Sequence, residues 1–280
     1  MLVGATVSFL LLRSSDNALA LGFSPGQTIR YRFTISMDAK LSIGLQRAPI
    51  VATTSADAEW RVLSVDPSGT ATVVMSISNA TVTSNGSSQA LPPQRSTIQL
   101  TSDGRLLSAS GVTLFSGGPA GGALGETSQL SALLPPDGSA TPGDTWTKQI
   151  SQSFFGTDLT FTQEGSYLRN ERIGSTDTAV IEARATIPMD FSIKASDLVG
   201  LIQSGASSPA TPTGASLVYS GQVAVDTTSW IDTGAKQILK TSGRARFSIG
   251  VLVTGNATAG VPPGTSFDLS GSYSMTIERR

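Results

Sequence analysis

From residue 22 to the C-terminus, apolar and polar residues alternate with a period of two in segment after segment. Successive side chains of a strand point to opposite faces, so this alternation fits sheets with one buried face and does not fit amphipathic helices. TIRYRFTISMDAKLSI (28–43) is rich in β-branched and aromatic residues and reads as one long strand, or two with a kink. ADAEWRVLSV (56–65) and ATVVMSISNATVTS (71–84) follow, separated by the turn DPSGT (66–70) and closed by SNGSS (84–88). STIQLTSDGRLLSAS (96–110) reads as a hairpin around Asp103-Gly104. The pattern resumes over 144–156, 157–173, 179–193, 217–231, 237–253 and 267–278, with turns at 174–178 and 232–236.

Two stretches break the alternation. Residues 111–140 open with glycines and continue with Leu124, Leu130, Leu133 and Leu134, so that 127–134 reads as a short helix stopped by Pro135-Pro136. Residues 194–215 open with Ser196 as an N-cap for a second short apolar helix over 197–204, followed by a Ser/Pro/Thr/Gly loop.

The chain also repeats itself. SPGQTIRYRF (24–33) is echoed by TPGDTWTKQI (141–150). The 56–78 segment matches 164–186, with an aromatic, a Gly turn and a Thr-Ala before a β-branched run. The 97–111 segment matches 228–243, as a strand, an Asp/Gly turn and a strand ending in Ser-Gly. Three landmarks in one order predict an internal repeat. The expected organisation is a first β unit over 21–120, a linker with a short helix over 121–140 and a second β unit over 141–280. The two units stand as separate domains or as one continuous domain. The fold class that follows is all-β with minor helices. Two repeated antiparallel meander sheets form a strongly curved half-barrel or a sandwich, with the short apolar helices in inserts.

Residues 1–12, MLVGATVSFLLL, form an apolar run followed by RSSDN and the small-x-small triplet Ala18-Leu19-Ala20. That order predicts a secretory signal peptide over 1–20, cleaved near Ala20, although no Lys or Arg precedes the run. The expected location is secreted or periplasmic.

Composition narrows the chemistry. Charged residues make up only 14% of the 280 and the net charge is −1, which gives no electrostatic footprint for nucleic acid. There is no cysteine and no histidine, which removes thiol catalysis, disulfides, the commonest metal ligand and the commonest neutral-pH base. Ser-Lys or carboxylate chemistry is left. Ser192 and Lys194 stand at the wrong spacing for an S-x-x-K site. Glu164, Glu171, Glu182, Asp190 and Asp197 are scattered without the signature of a glycosidase pair. The Gly-rich run carries no lysine, as a phosphate loop would require. Arg244 and Arg246 read as solvated charges, and Trp60, Trp146 and Trp230 as core anchors. No cofactor and no metal site is expected.

Leu134-Pro135-Pro136 followed by Gly143-Asp144-Thr145-Trp146 resembles a segment of uncharacterised secreted β-rich bacterial proteins. Long strands with short apolar helices in inserts also resemble the lipoprotein-carrier (LolA/LppX-like) fold. That resemblance implies a half-barrel with helices on its concave face and an acyl-chain ligand. The chain departs from it in length and in lacking a lipobox cysteine.

The expected activity is therefore non-enzymatic: a cell-envelope protein holding an apolar, lipid-like ligand in a concave groove, with transient membrane or envelope contact. The candidate lining is Leu130, Leu133, Leu134, Phe191, Leu198, Leu201 and Ile202, against the alternative that these are ordinary core. The competing expectations are a structural or adhesion-type module binding protein or glycan, a protein with no ligand, and a carboxylate hydrolase.

Overall fold

The computed structural model describes residues 19–84, 86–110, 134–135, 138–154, 157–194, 215–255 and 263–280. They form β1 (Thr28–Ile43), β2 (Gln46–Val65), β3 (Ala71–Ser84), β4 (Ser87–Ala90), β5 (Gln94–Leu100), β6 (Leu106–Ser110) and β7 (Thr145–Phe154). The remaining strands are β8 (Thr157–Ile173), β9 (Thr176–Pro188), β10 (Phe191–Lys194), β11 (Ala215–Asp232), β12 (Gln237–Gly255) and β13 (Ser266–Arg279). The protein is all-β. Of the two expected helices, only Leu134 of the first falls among the described residues.

The strands make one antiparallel sheet in the order β6-β5-β3-β2-β1-β13-β12-β11-β9-β8-β7, with β4 on β3 and β10 on β11. Each half is a meander: β1, β2, β3, β5 and β6 in the first, β7, β8, β9, β11 and β12 in the second. The halves share one sheet and do not stack as a sandwich. The reason is β13, which pairs with β1 from Tyr31↔Arg279 to Ile43↔Phe267 and with β12 from Lys240↔Glu278 to Leu252↔Ser266. That double ladder leaves no break at which two sheets could part. β6 and β7 end the order without pairing, so the sheet is not closed into a barrel.

The period of two has its structural counterpart in β1, where Ile29, Tyr31, Phe33, Ile35 and Ala39 are buried on one face. Ala56, Ala58, Trp60 and Val62 of β2 extend that face on one side. Tyr273, Met275 and Ile277 of β13 and Ala245, Phe247 and Ile249 of β12 extend it on the other. The outer face carries exposed charge pairs such as Arg30–Glu59 at 2.9 Å and Arg32–Asp57 at 3.1 Å. Solvated pairs of this kind contribute about 0–1 kcal/mol each, so the inner face dominates stability.

The echoed turns share their hydrogen bonds. Gly26 donates to Val62 O at 2.9 Å, and Val62 N donates back to Gln27 O at 2.9 Å. Gly143 donates to Tyr167 O at 2.7 Å, and Tyr167 N returns to Asp144 O at 2.9 Å. In each turn proline precedes a glycine of positive φ, 82° at Gly26 and 100° at Gly143, which suits a type II turn. Four of the five register shifts among the described strands coincide too, the one between Ser55 and Asp57 of β2–β3 having no counterpart. β2–β3 slips between Val62 and Ser64, and β8–β9 between Tyr167 and Arg169. β5–β6 slips between Gln99 and Leu100, and β11–β12 between Trp230 and Ile231. Such irregularities bend strands and increase local twist, so these four contribute to curvature at matching places in both meanders.

Two strand boundaries differ from the sequence reading. β2 begins at Gln46 rather than residue 56. Pro49 is tolerated because β3 pairs β2 only from Ala52 onward, so Pro49 lies where β2 has no neighbour on that side. The 179–193 segment splits at Pro188, after which Met189 N donates to Gly221 O at 2.9 Å and Gly221 N to Asp190 Oδ1 at 3.3 Å. Gly221, at φ 128°, is required there: a Cβ would lie 2.0 Å from Ser248 O.

Trp146 faces Gly165 across β7–β8. A Cβ at residue 165 would stand 2.2 Å from the indole Nε1, so the ring uses the missing side chain as its seat. Gly165→Ala is expected to displace the indole and cost about 1–3 kcal/mol, read as a lower urea midpoint at unchanged slope. An unchanged midpoint would contradict this packing.

Candidate functional site

The inner face is concave, and its two ends differ. At the end formed by the turns after β2, β5, β8 and β11, a strap of residues 19–22 crosses the sheet. Leu19 N donates to Gly138 O at 2.6 Å, Leu21 N to Ser102 O at 2.6 Å, and Gly22 N to Lys236 O at 2.7 Å. The strap thereby ties the β5–β6 turn of the first meander to the β11–β12 turn of the second. Leu19 and Leu21 are buried in the core below it. A cut after Ala20 would fall inside this strap and release Leu19 from the seal.

Leu134 is fully buried at the same end, and its N–H donates to Asp103 O at 3.1 Å. Asp103 lies in the β5–β6 turn and its carboxylate pairs with Lys148 of β7, each side chain only 15% exposed. Arg105 reaches the same carboxylate at 3.0 Å, and Thr101 hydrogen-bonds it. The sheet is thus curved enough for the turn beside one edge strand to meet the other edge strand. Burial opposes ionisation of Asp103, yet the hydrogen bonds from Lys148 and Thr101 and the charges of Lys148 and Arg105 outweigh it and hold the carboxyl below its usual value. Asp232 completes this end, accepting from Gly234 N at 3.0 Å and Ala235 N at 2.8 Å and pairing with Arg279 at 3.0 Å.

The opposite end has a different character. Register places Ile43, Phe267, Val251, Tyr219 and Phe191 in one cross-strand row of the inner face. Leu41, Leu269 and Ile249 form the row beneath. Ile43 is exposed, while Leu41, Leu217, Val251 and Phe267 are half-buried. The Tyr219 ring stacks on Phe191 at 4.7 Å and 15°. Its hydroxyl is buried with no hydrogen-bond partner, and burial pushes its pKa up to about 12. Ser96 Oγ and Gln94 Oε1 of β5, which the register sets level with Ile29 and Tyr31 toward the sealed end, are also buried without a hydrogen-bond partner.

Of the expected lining, Phe191 lies on the concave face and Leu134 lies in the core at the sealed end. Leu130, Leu133, Leu198, Leu201 and Ile202 lie outside the described residues. Sequence reasoning missed Ile43, Leu41, Leu217, Tyr219, Val251 and Phe267. Their signal was available, since each holds an inward position at the open end of a long strand.

Of the remaining candidates, Glu164 and Glu182 are diagonal neighbours on the outer face of β8–β9, with Arg184 directly opposite Glu164, and Asp197 lies outside the described residues. Glu182 pairs with Arg184 at 3.0 Å and Glu171 with Arg169 at 2.6 Å, both at exposed or part-exposed positions. Asp190 accepts the Gly221 N–H. Among the described residues no group of three carboxylates is placed to hold a metal ion. A cup of about 590 Å³ lies against the strap, lined by Leu19, Ala140 and Ile231 as well as by Glu171, Asp177 and Lys236. No protein-family model matches the chain, and no curated protein sequence is similar to it.

The clamp gives a pH prediction with a definite sign. A carboxyl held low in the folded state contributes stability above its unfolded pKa of about 4, and that contribution is lost as pH falls through the folded value. Wild type is therefore expected to exceed Asp103→Asn in denaturant stability at pH 7, with the gap closing below about pH 4. Lys148→Met, which strands the carboxylate, is expected to cost about 2–4 kcal/mol at pH 7. A gap independent of pH would contradict the ion pair.

Proposed function

We propose that this protein holds an apolar or amphipathic, lipid-like ligand against the concave face of its sheet, entering at the end where Ile43, Phe267 and Val251 stand. One observation carries the reading: a single unclosed sheet presents a continuous apolar inner face that is sealed by leucines at one end and half-exposed at the other. Burying an acyl chain there removes apolar area from water at roughly 25 cal/mol per Å², so a chain of ordinary length supplies several kcal/mol of binding. The unpartnered Tyr219 hydroxyl in that row suits a polar atom of an amphipath. The protein acts outside the cytoplasm in this reading, in keeping with the apolar leader. The shared turns and register shifts support an origin by duplication of a five-stranded meander.

A second reading has its own observation. On the outer face Arg244 and Arg246 stand exposed beside Ser36, Ser272 and Ser274 around a shallow depression of about 410 Å³. Guanidinium groups among hydroxyls suit a glycan or protein contact, as in an adhesion module.

Native mass spectrometry of the mildly extracted protein is expected to show co-purified lipid. A fluorescent fatty acid is expected to bind wild type and to bind Phe267→Ser roughly tenfold or more weakly, with circular dichroism unchanged. Bare protein that takes up no fatty acid would overturn the groove reading and leave the outer face as the working surface.

A further inference from the structure

The middle strand of the sheet differs from its neighbours on the outer face. Outward from β13 stand Ser270, Ser272, Ser274 and Thr276, in alternation with the buried Leu269, Tyr273, Met275 and Ile277. Register sets Arg246 opposite Ser272 and Arg244 opposite Ser274 on one side. On the other side Asp38 and Ser36 stand opposite the same two serines. This line of short hydroxyls between longer side chains forms the floor of the shallow depression of about 410 Å³. Outward residues of a strand recur every ~7 Å, so the hydroxyl line runs about 20 Å and the two guanidiniums branch from points about 7 Å apart.

Arg244 and Arg246 lack what other cross-strand charges of this face have. Arg30 faces Glu59 and pairs with it at 2.9 Å, Arg32 faces Asp57 and pairs at 3.1 Å, and Lys240 faces Glu278 and pairs at 2.9 Å. Arg244 faces Asp226, but that carboxylate meets Arg184 at 3.6 Å instead. Among the described residues neither Arg244 nor Arg246 has an ion pair. The depression therefore holds two unpaired guanidiniums to one carboxylate, Asp38. Just beyond it the signs balance, Lys40 against Asp268 and Arg184 against Asp226. The chemistry narrows the occupant. A protein contact favours an apolar or aromatic centre, whereas here Val51 is the one exposed apolar side chain and the Tyr273 ring is buried. A nucleic-acid backbone needs an unbroken run of cations, and Asp38 interrupts this one. A neutral sugar leaves both guanidiniums without a counter-charge. A glycan whose carboxylates are separated by neutral sugars meets all the groups, since guanidinium forks suit carboxylates and the Asp38 carboxylate accepts from sugar hydroxyls.

We propose that the outer face binds a linear uronic-acid glycan along β13, with carboxylates on Arg244 and Arg246 and sugar hydroxyls on Asp38, Ser272 and Ser274. The site rests on the adhesion reading of the outer face and names its ligand. It is independent of the groove on the inner face.

The test is affinity electrophoresis of the full chain in gels containing hyaluronan, which alternates a uronate with a neutral sugar, or neutral dextran, each referred to a gel without polymer. Wild type is expected to be retarded by hyaluronan, less so as ionic strength is raised, and not by dextran. Arg244→Gln/Arg246→Gln is expected to bind hyaluronan roughly tenfold or more weakly, with circular dichroism and fatty-acid binding unchanged. Arg61→Gln/Arg95→Gln, which removes the same charge from exposed arginines of β2 and β5, is expected to be retarded like wild type. Wild type that hyaluronan does not retard overturns the proposal. Equal weakening in the two double variants also overturns it, because diffuse charge would then account for the binding. Retardation by dextran that needs Arg244 and Arg246 removes the acidic ligand and leaves the glycan reading. Self-association in sedimentation velocity that needs the two arginines, without retardation by either polymer, makes the face a protein contact and removes the glycan altogether.

Discussion

A sheet of thirteen strands with one apolar face must hide that face, and among the described residues no second sheet covers it. The molecule meets this constraint by curling the sheet until the turn beside one edge strand meets the other edge strand. The Asp103–Lys148 pair holds them together where no backbone ladder does. Leu134, Leu19 and Leu21 are buried in the core at the same end. Removing one partner of a pair so enclosed costs more than removing one of an exposed pair, because it leaves a stranded charge.

This way of closing the sheet makes the two ends unlike. A closed barrel would have strands all round and two equivalent mouths. Here the turn end is tied by the strap, by Leu134 and by the Asp232–Arg279 pair that anchors the last strand to the β11–β12 turn. At the far end, among the described residues, Ile43 is exposed and Leu41, Leu217, Val251 and Phe267 are half-buried. In the proposed reading, the same asymmetry gives the groove one entrance.

Much of this could be read from the residues. The alternation in 28–43 predicts both the strand and which of its residues are inward, and β1 follows it from Ile29 to Ala39. The SPGQTI and TPGDTW echo marks two turns with the same hydrogen bonds, because proline and a following glycine specify the backbone locally. What the sequence did not reveal depends on curvature. Nothing local in SDGR or TWTKQ says that Asp103 meets Lys148 forty-five residues away. Leu19 reads as part of a leader and Leu21 as the start of the first β unit, and only their burial shows them as the seal. The groove mouth was missed for a related reason: Ile43, Val251 and Phe267 look like ordinary strand residues until the register sets them in one row at an open end.

The central claim is that the concave face accepts a ligand from one end. Paramagnetic relaxation from a spin-labelled fatty acid, mapped on the methyl and aromatic signals of the whole chain, tests it directly. The account predicts strong broadening at Ile43, Ile249, Val251 and Phe267 and at the Tyr219 ring, and none at Leu19, Leu100 or Ile231. Broadening at the sealed end, or confined to the outer face around Arg244 and Arg246, would contradict it.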